Sequence, residues 1–185
     1  MNKGVVDIET PEYSIYVDGS CLENMNVNKD TLAGWGMVVV KGDSRLGKGK
    51  GEIIFETSGL VVTNSDSNEY FGAEVGSNNT GELSAIAHAL RWLLINDGNS
   101  TVEICTDSTY AGNIASGTWK AKANKKLAKR IQELWEEVSS NQTLTWRHVR
   151  AHRGHKWNER ADHLAIRAVQ RKTPEPLSFW KPGMR

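Results

Sequence analysis

Cysteine and proline are scarce in this chain, and long apolar runs are missing. Only Cys21 and Cys105 occur among 185 residues, too few for a disulfide framework or a four-cysteine zinc site. They read as two free thiols in a reducing compartment. No stretch approaches the roughly 18 consecutive apolar residues of a membrane-spanning helix. The first twelve residues, MNKGVVDIETPE, mix acids with polar groups, unlike a secretion signal. From these features we expect a soluble, unexported, cytoplasmic protein rather than a helical membrane protein or a small disulfide-stapled scaffold. There is no internal repeat and no low-complexity segment. The length suits about one domain, burying roughly 70% of its extended surface.

Charge of one sign is also lacking overall, with a net of +1, but this conceals an asymmetry. Residues 1–110 carry 7 Lys/Arg against 16 Asp/Glu, and residues 111–185 carry 16 against 6, so the halves are −9 and +10. Lys120, Lys122, Lys125, Lys126, Lys129 and Arg130 cluster, followed by Arg147, Arg150, Arg153, Lys156 and Arg160. That much positive charge can track a phosphate backbone, although solvated helix faces have the same composition.

Residues 13–17 (YSIYV) form a β-branched and aromatic run ending at Asp18-Gly19-Ser20, which reads as a strand closed by a turn. Residues 34–40, and 53–57 with 60–62 beyond, read as the next two strands of an antiparallel meander. The Gly- and Asn/Ser-rich region 42–77 is long for a loop, so part of it is expected to be flexible or an extended hairpin. Residues 79–96 are the clearest helix, with Leu83, Ile86, Leu90, Leu93 and Leu94 at helical spacing and Asn79 with Glu82 in capping-box positions. A strand over 101–106 ends at Asp107. A short helix from Ser108, a helix over 125–138, a strand over 143–149 and a helix from Asn158 to about Val169 follow. The order is βββαβααβα, an α/β fold. Residues 1–12 and 171–185 read as tails around a catalytic domain at 13–170, the second tail basic and aromatic with Phe179, Trp180, Lys181 and Arg185.

Two strands that each end in Asp matter because functional groups gather at the carboxyl ends of strands in α/β sheets. Asp18 and Asp107 become neighbours there, Glu82 joins from the start of the long helix, and Asp162 joins from the second turn of the last one. Singly, each has an ordinary use as a turn, cap or surface residue. Converging, four carboxylates repel strongly unless cations sit among them. Oxygen-only clusters select Mg²⁺, or Mn²⁺ in its place. Two such ions about 4 Å apart can clamp an in-line phosphoryl displacement.

The segments Tyr16-Val17-Asp18-Gly19-Ser20-Cys21, Asn78-Asn79-Thr80-Gly81-Glu82-Leu83, Thr106-Asp107-Ser108 and His152-Arg153-Gly154-His155, continuing to Asn158-Glu159-Arg160-Ala161-Asp162, together resemble ribonuclease H type 1 (ribonuclease HI) in order and spacing, over roughly residues 13–170. The resemblance implies a ribonuclease H-like fold, with a mixed five-stranded sheet flanked by helices. It implies an endonuclease that cuts the RNA strand of RNA·DNA hybrids, leaving 5′-phosphate and 3′-hydroxyl ends. Asp18, Glu82, Asp107 and Asp162 carry over as ligands of two Mg²⁺ ions. His152 carries over as the loop histidine that assists proton transfer or product departure, a task suited to imidazole. Use of His152, His155 and Cys21 as zinc ligands lacks a second ligand pair.

By the same resemblance, Gly19, Ser20, Cys21, Asn24, Asn78 and Asn79 lie beside the RNA strand, where 2′-hydroxyls distinguish it from DNA, and Ser77 and Asn124 help hold a DNA phosphate. Val75 stands where some relatives carry an arginine before that pocket. Only 8 residues separate Tyr110 from Trp119, leaving no room for the basic handle helix of some bacterial relatives. Trp119 with Lys120 and Lys122, the Lys125 to Arg130 cluster, or the basic tail is expected to replace it, while Trp180 could equally fold back onto the domain. An insertion at 43–76 is a further departure. The expected partner is the hybrid duplex, bound by a monomer with no obligate protein partner. A resolvase-like or reverse-transcriptase-associated nuclease shares the sheet and carboxylates, but the Asp18-Gly19-Ser20 turn with the histidine loop favours the stand-alone enzyme. A non-catalytic hybrid-binding module would have lost a metal carboxylate, and all four are present.

Overall fold

Alternation along the first strand, β1 (Tyr13–Ser20), decides the two faces of the sheet in this computed structural model, which describes residues 10–96 and 98–183. Ile15 and Val17 enter one apolar cluster, whereas Tyr16 enters the other, as the period of two in a strand requires. β2 (Gly34–Lys41) and β3 (Glu52–Leu60) run antiparallel to their neighbours, and β4 (Thr101–Thr106) and β5 (Thr143–His148) run parallel. The sheet order is β3-β2-β1-β4-β5.

The first face is covered by α1 (Asn78–Asn96), α2 (Thr109–Ala115) and α3 (Lys125–Ser139), whose Leu83, Ile86, Leu90, Ile114, Leu127 and Ile131 are buried against the strands. The second face is covered by α4 (Lys156–Gln170), through Trp157, Ala161 and Leu164. The element order expected from the sequence is the one observed.

Several details differ from the sequence reading. β3 is one continuous strand, because pairing with β2 through a bulge at Val39/Val40 carries it across the polar residues Glu56 to Ser58. α1 is capped by Ser77, whose Oγ accepts from the Thr80 amide at 3.1 Å while Thr80 Oγ1 accepts from the Ser77 amide at 2.8 Å. This reciprocal cap replaces the Asn79–Glu82 pair and releases Glu82 to face elsewhere.

The region 42–77 is fastened at several points. Asp43 is buried and accepts from the Tyr16 hydroxyl, Arg45 reaches Glu103 on β4 at 2.9 Å, and Thr63 Oγ1 donates to the Lys29 carbonyl at 2.8 Å. Residues 1–9, most of the expected N-terminal tail, lie outside the described residues, as do Met184 and Arg185.

Candidate active site

Close backbone approach assembles the site. At the end of β1, a Cβ on Gly19 would fall on the Gly81 and Glu82 backbone. Any side chain there would push α1 away, so glycine lets the first turns of that helix rest directly on the strand end. Glu82 is thereby carried to Asp18. On the other face, Gly36 of β2 pairs with Asp18 in register, and a Cβ on Gly36 would sit 2.5 Å from the Ala161 carbonyl oxygen. Helix α4 crosses the sheet at that point, and its next residue is Asp162.

Asp107 follows the last residue of β4, and Ser108 after it caps α2 by accepting from the Ala111 amide at 3.0 Å. Oxygen atoms of Asp18, Glu82 and Asp107 lie within 4.8 Å of one another. Asp162 stands outside that trio, yet its charge acts on Asp18. It is 8% exposed, and its Oδ2 lies 3.9 Å from Nδ1 of His152.

The electrostatics are those of carboxylates forced together. Burial, then the charges of Glu82 and Asp107, hold the Asp18 carboxyl well above the usual range. Glu82 is pushed up to about 8, first by burial and against the hydrogen bonds that favour its ionised form, with Asp107 adding to the rise. Few other charges oppose this locally. The Gly19 amide donates to Asp18 at 2.8 Å, Thr106 Oγ1 donates to Glu82 at 3.5 Å and Asn158 Nδ2 donates to Asp107 at 3.5 Å. Mutually repelling, all-oxygen donors, two of them buried, fit a hard divalent cation, whose binding would relieve the repulsion.

The histidines separate by environment. His152 is exposed, in a loop where its own φ is +51° and that of Gly154 is +74°. His155 caps α4 and lies 3.4 Å from the Tyr16 hydroxyl, and burial lowers its pKa. His88 stacks on Trp35 at 3.7 Å and is lowered to about 4 by burial, as expected for a packed histidine. His148 Nε2 approaches the Asp107 carbonyl at 3.1 Å.

Among the residues expected to contact nucleic acid, Gly19, Ser20, Asn24, Asn78 and Asn79 come together along one rim. Asn24 Oδ1 accepts from the Asn78 amide at 3.0 Å, and Gly81 lies against Gly19 and Ser20. Cys21 is buried, and burial raises its thiol pKa, so only its backbone suits that rim. Ser77 spends its hydroxyl on the helix cap. Trp119 is 47% exposed and Asn124 is left-handed, with its amide 3.4 Å from the Tyr110 hydroxyl, and both belong to the α2–α3 connection. Lys120, Lys122, Lys125 and Lys126 are exposed beside them, whereas Lys129 and Arg130 each approach Glu133.

Two functional neighbours escaped the sequence reading as site residues. Asn158 was visible only as part of a motif, and Glu159, 2% exposed, accepts from the amides of Gly154 and Gly183 and from the Trp180 indole. The tail therefore folds back onto the domain.

The sequence matches the RNase H family profile over residues 10–170. It is 34% identical over 169 residues to a ribonuclease H of Cupriavidus pinatubonensis, covering 85% of this chain and 95% of that one. The structure is similar to the crystal structure of RNase H1 from Halobacterium salinarum NRC-1, with TM-score 0.61, 22% identity and coverage of 86% and 98%. It is also similar to LC11-RNase H1 in complex with an RNA/DNA hybrid, with TM-score 0.57, 23% identity and coverage of 86% and 97%. With a family match over nearly the whole described fold and an acidic centre where strands β1 and β4 end, the chain belongs to the RNase H family.

Proposed function

We propose that this protein is an endonuclease that hydrolyses the RNA strand of RNA·DNA hybrids, with residues 13–170 as its catalytic domain, acting as a cytoplasmic monomer. The observation that carries the reading is the Asp18–Glu82–Asp107 trio, the first two buried and Asp107 half-buried, with oxygens within 4.8 Å of one another, at the strand ends and next to the rim of small polar residues. Asp18, Glu82, Asp107 and Asp162 would hold two Mg²⁺ ions, or Mn²⁺ in their place. Bound there, the ions would supply an activated water and neutralise charge at the leaving oxygen.

The protein's own residues provide the rest. Asn158 and the Gly19 amide fix the orientation of Asp107 and Asp18 through their hydrogen bonds. His152, exposed beside Asp162, delivers or removes a proton at the leaving group through its imidazole. The backbone of Gly19, Ser20 and Cys21 and the amides of Asn24, Asn78 and Asn79 offer both donors and acceptors to 2′-hydroxyls, which only the RNA strand has. Ser77, Trp119 and Asn124, with the exposed lysines beside them, take the DNA strand.

Cleavage assays on RNA·DNA, RNA·RNA and DNA·DNA duplexes, with Mg²⁺ and with EDTA, test this directly. The expected result is Mg²⁺-dependent cutting of hybrid RNA alone, leaving 5′-phosphates, and its loss in Asp18→Asn and Asp107→Asn with hybrid binding retained. Near wild-type turnover in either variant, or cutting in EDTA, overturns the reading.

A further inference from the structure

We propose that the C-terminal segment, residues 176–183, is a strap that positions His152, acting through Glu159; this rests on the role given to His152 above. The loop that carries His152 has two residues in the left-handed region, His152 at φ +51° and Gly154 at φ +74°. That conformation is uncommon for a non-glycine residue, although histidine adopts it more readily than most, and a fixed contact is needed to hold the loop in this one arrangement. The anchor is visible. Gly154 donates its amide to Glu159 Oε1 at 2.8 Å. Glu159 is a buried carboxylate that needs several donors, and the tail supplies the others: the Trp180 indole at 2.9 Å and the Gly183 amide at 3.0 Å.

The tail is itself tied down in steps. The Glu175 amide donates to His163 at 2.9 Å, the Glu175 carbonyl accepts from Arg160 at 2.6 Å, and Leu177 packs on the second apolar cluster. Lys156 lies over the Trp180 ring at 5.8 Å, and the Pro182 side chain lies beside Gly154. One carboxylate thus joins the tail, the loop and α4, three residues before Asp162. Loss of the tail takes from Glu159 the Trp180 and Gly183 donors that hold its carboxylate in place and frees the loop to carry His152 away from Asp162, 3.9 Å distant here. Glu159 and Trp180 are positioning residues; neither reaches the carboxylate trio.

The test uses a chain ending at Pro176, which keeps the Glu175 anchors, and Trp180→Phe, which keeps an aromatic ring but removes the donor. Each is made in the wild-type and in the His152→Ala background. Single-turnover cleavage at saturating hybrid, hybrid affinity against salt, and hydrogen exchange of the Gly154 amide in the metal-free protein are measured. Misplacing a reacting group is costly, so the truncated chain should cut about tenfold more slowly and Trp180→Phe less so. In the His152→Ala background the same changes should cost less than about twofold, because two changes that act through one group are not additive. The Gly154 amide should exchange faster in both variants, with hybrid affinity and its salt dependence unchanged. Equal losses in the two backgrounds would make the tail a general stabiliser and overturn the proposal, as would a flattened salt dependence, which would make it a substrate arm. An unprotected Gly154 amide in the full chain overturns the strap alone. A His152→Ala enzyme as fast as wild type instead overturns the role of His152, and the positioning claim with it.

Discussion

Asp107→Asn should make the metal-free protein more stable while abolishing its activity. In the trio, carboxylate oxygens lie within 4.8 Å, and two unit charges at that separation repel by roughly 3 kcal/mol at an effective dielectric near 20. Glu82 avoids part of this by staying protonated, since its pKa is pushed up to about 8 from an ordinary value of 4.5. A carboxyl whose folded pKa is raised contributes stability that is complete below its unfolded pKa and is lost as pH rises through the folded one. Metal-free wild type therefore loses this contribution between about pH 4.5 and pH 8. Removing Asp107 removes one neighbour, so the gain is small at pH 6 and larger at pH 9, where Glu82 is ionised. With relaxation taking part of the roughly 3 kcal/mol, and about 2–4 °C per kcal/mol for a chain of this size, Tm at pH 9 should rise by roughly 5 °C. Calorimetry in EDTA at both pH values reads it. Adding Mg²⁺ should raise the wild-type Tm and close the gap, because a ligand bound only to the folded state stabilises it. A lower metal-free Tm for the variant at pH 9, or a gap that does not grow with pH, refutes the picture of an acidic centre held against its own repulsion.

His152→Ala should slow turnover by about 100-fold to 10,000-fold without erasing it; complete inactivity in a folded protein would instead make His152 a metal ligand. Gly36→Ala should cost about 1–3 kcal/mol in urea unfolding and reduce cleavage, because the new methyl meets the Ala161 carbonyl and moves Asp162; unchanged stability would show that α4 has room to spare. Replacing Lys120, Lys122, Lys125 and Lys126 with Gln should flatten the dependence of log affinity on log salt by roughly 0.9 per lost phosphate contact, with little change in turnover at saturation. An unchanged slope would leave these exposed lysines as a solvated helix face.

Local signals carried the elements and most of the acidic centre. Asp18 and Asp107 were legible because β-branched runs end at them, and the covering helices because Leu83, Ile86 and Leu90 or Leu127 and Ile131 keep helical spacing. Glu82 is legible from its place at the start of the long helix, but the capping role that its spacing from Asn79 suggests is filled by Ser77 and Thr80; both sites offer a polar group three residues before another, and only the backbone decides between them. What sequence spacing could not reveal depends on pairing across distance. Tyr16 meets Asp43, Arg147 reaches Glu103 at 2.8 Å, and Arg45 joins the same carboxylate, so the insertion after β2 is tied to β4 and β5 by partners far apart in the chain. The tail was ambiguous for the same reason. Nothing near Trp180 in sequence announces Glu159, 21 residues away.

The run Asn158-Glu159-Arg160-Ala161-Asp162 owes its density of polar residues to geometry. Successive residues of a helix point about 100° apart, so α4 can serve several surfaces within five positions. Asn158 and Asp162, one turn apart, share the face toward the strand ends, where one orients Asp107 and the other faces His152. Glu159 turns toward the loop and tail. Arg160 turns toward β3, where it pairs with both oxygens of Glu56 at 2.9 and 2.6 Å while also holding the Glu175 carbonyl. Ala161 is the one small residue, and it lies where Gly36 lets the helix touch the sheet. The charges of Glu159 and Arg160 are buried, which is tolerable only because each is matched by fixed partners. Those partners set the helix's height and rotation over the sheet, and with them the place of Asp162. A polar segment that looks like a solvent-facing helix start is therefore the frame that brings the fourth carboxylate to the centre.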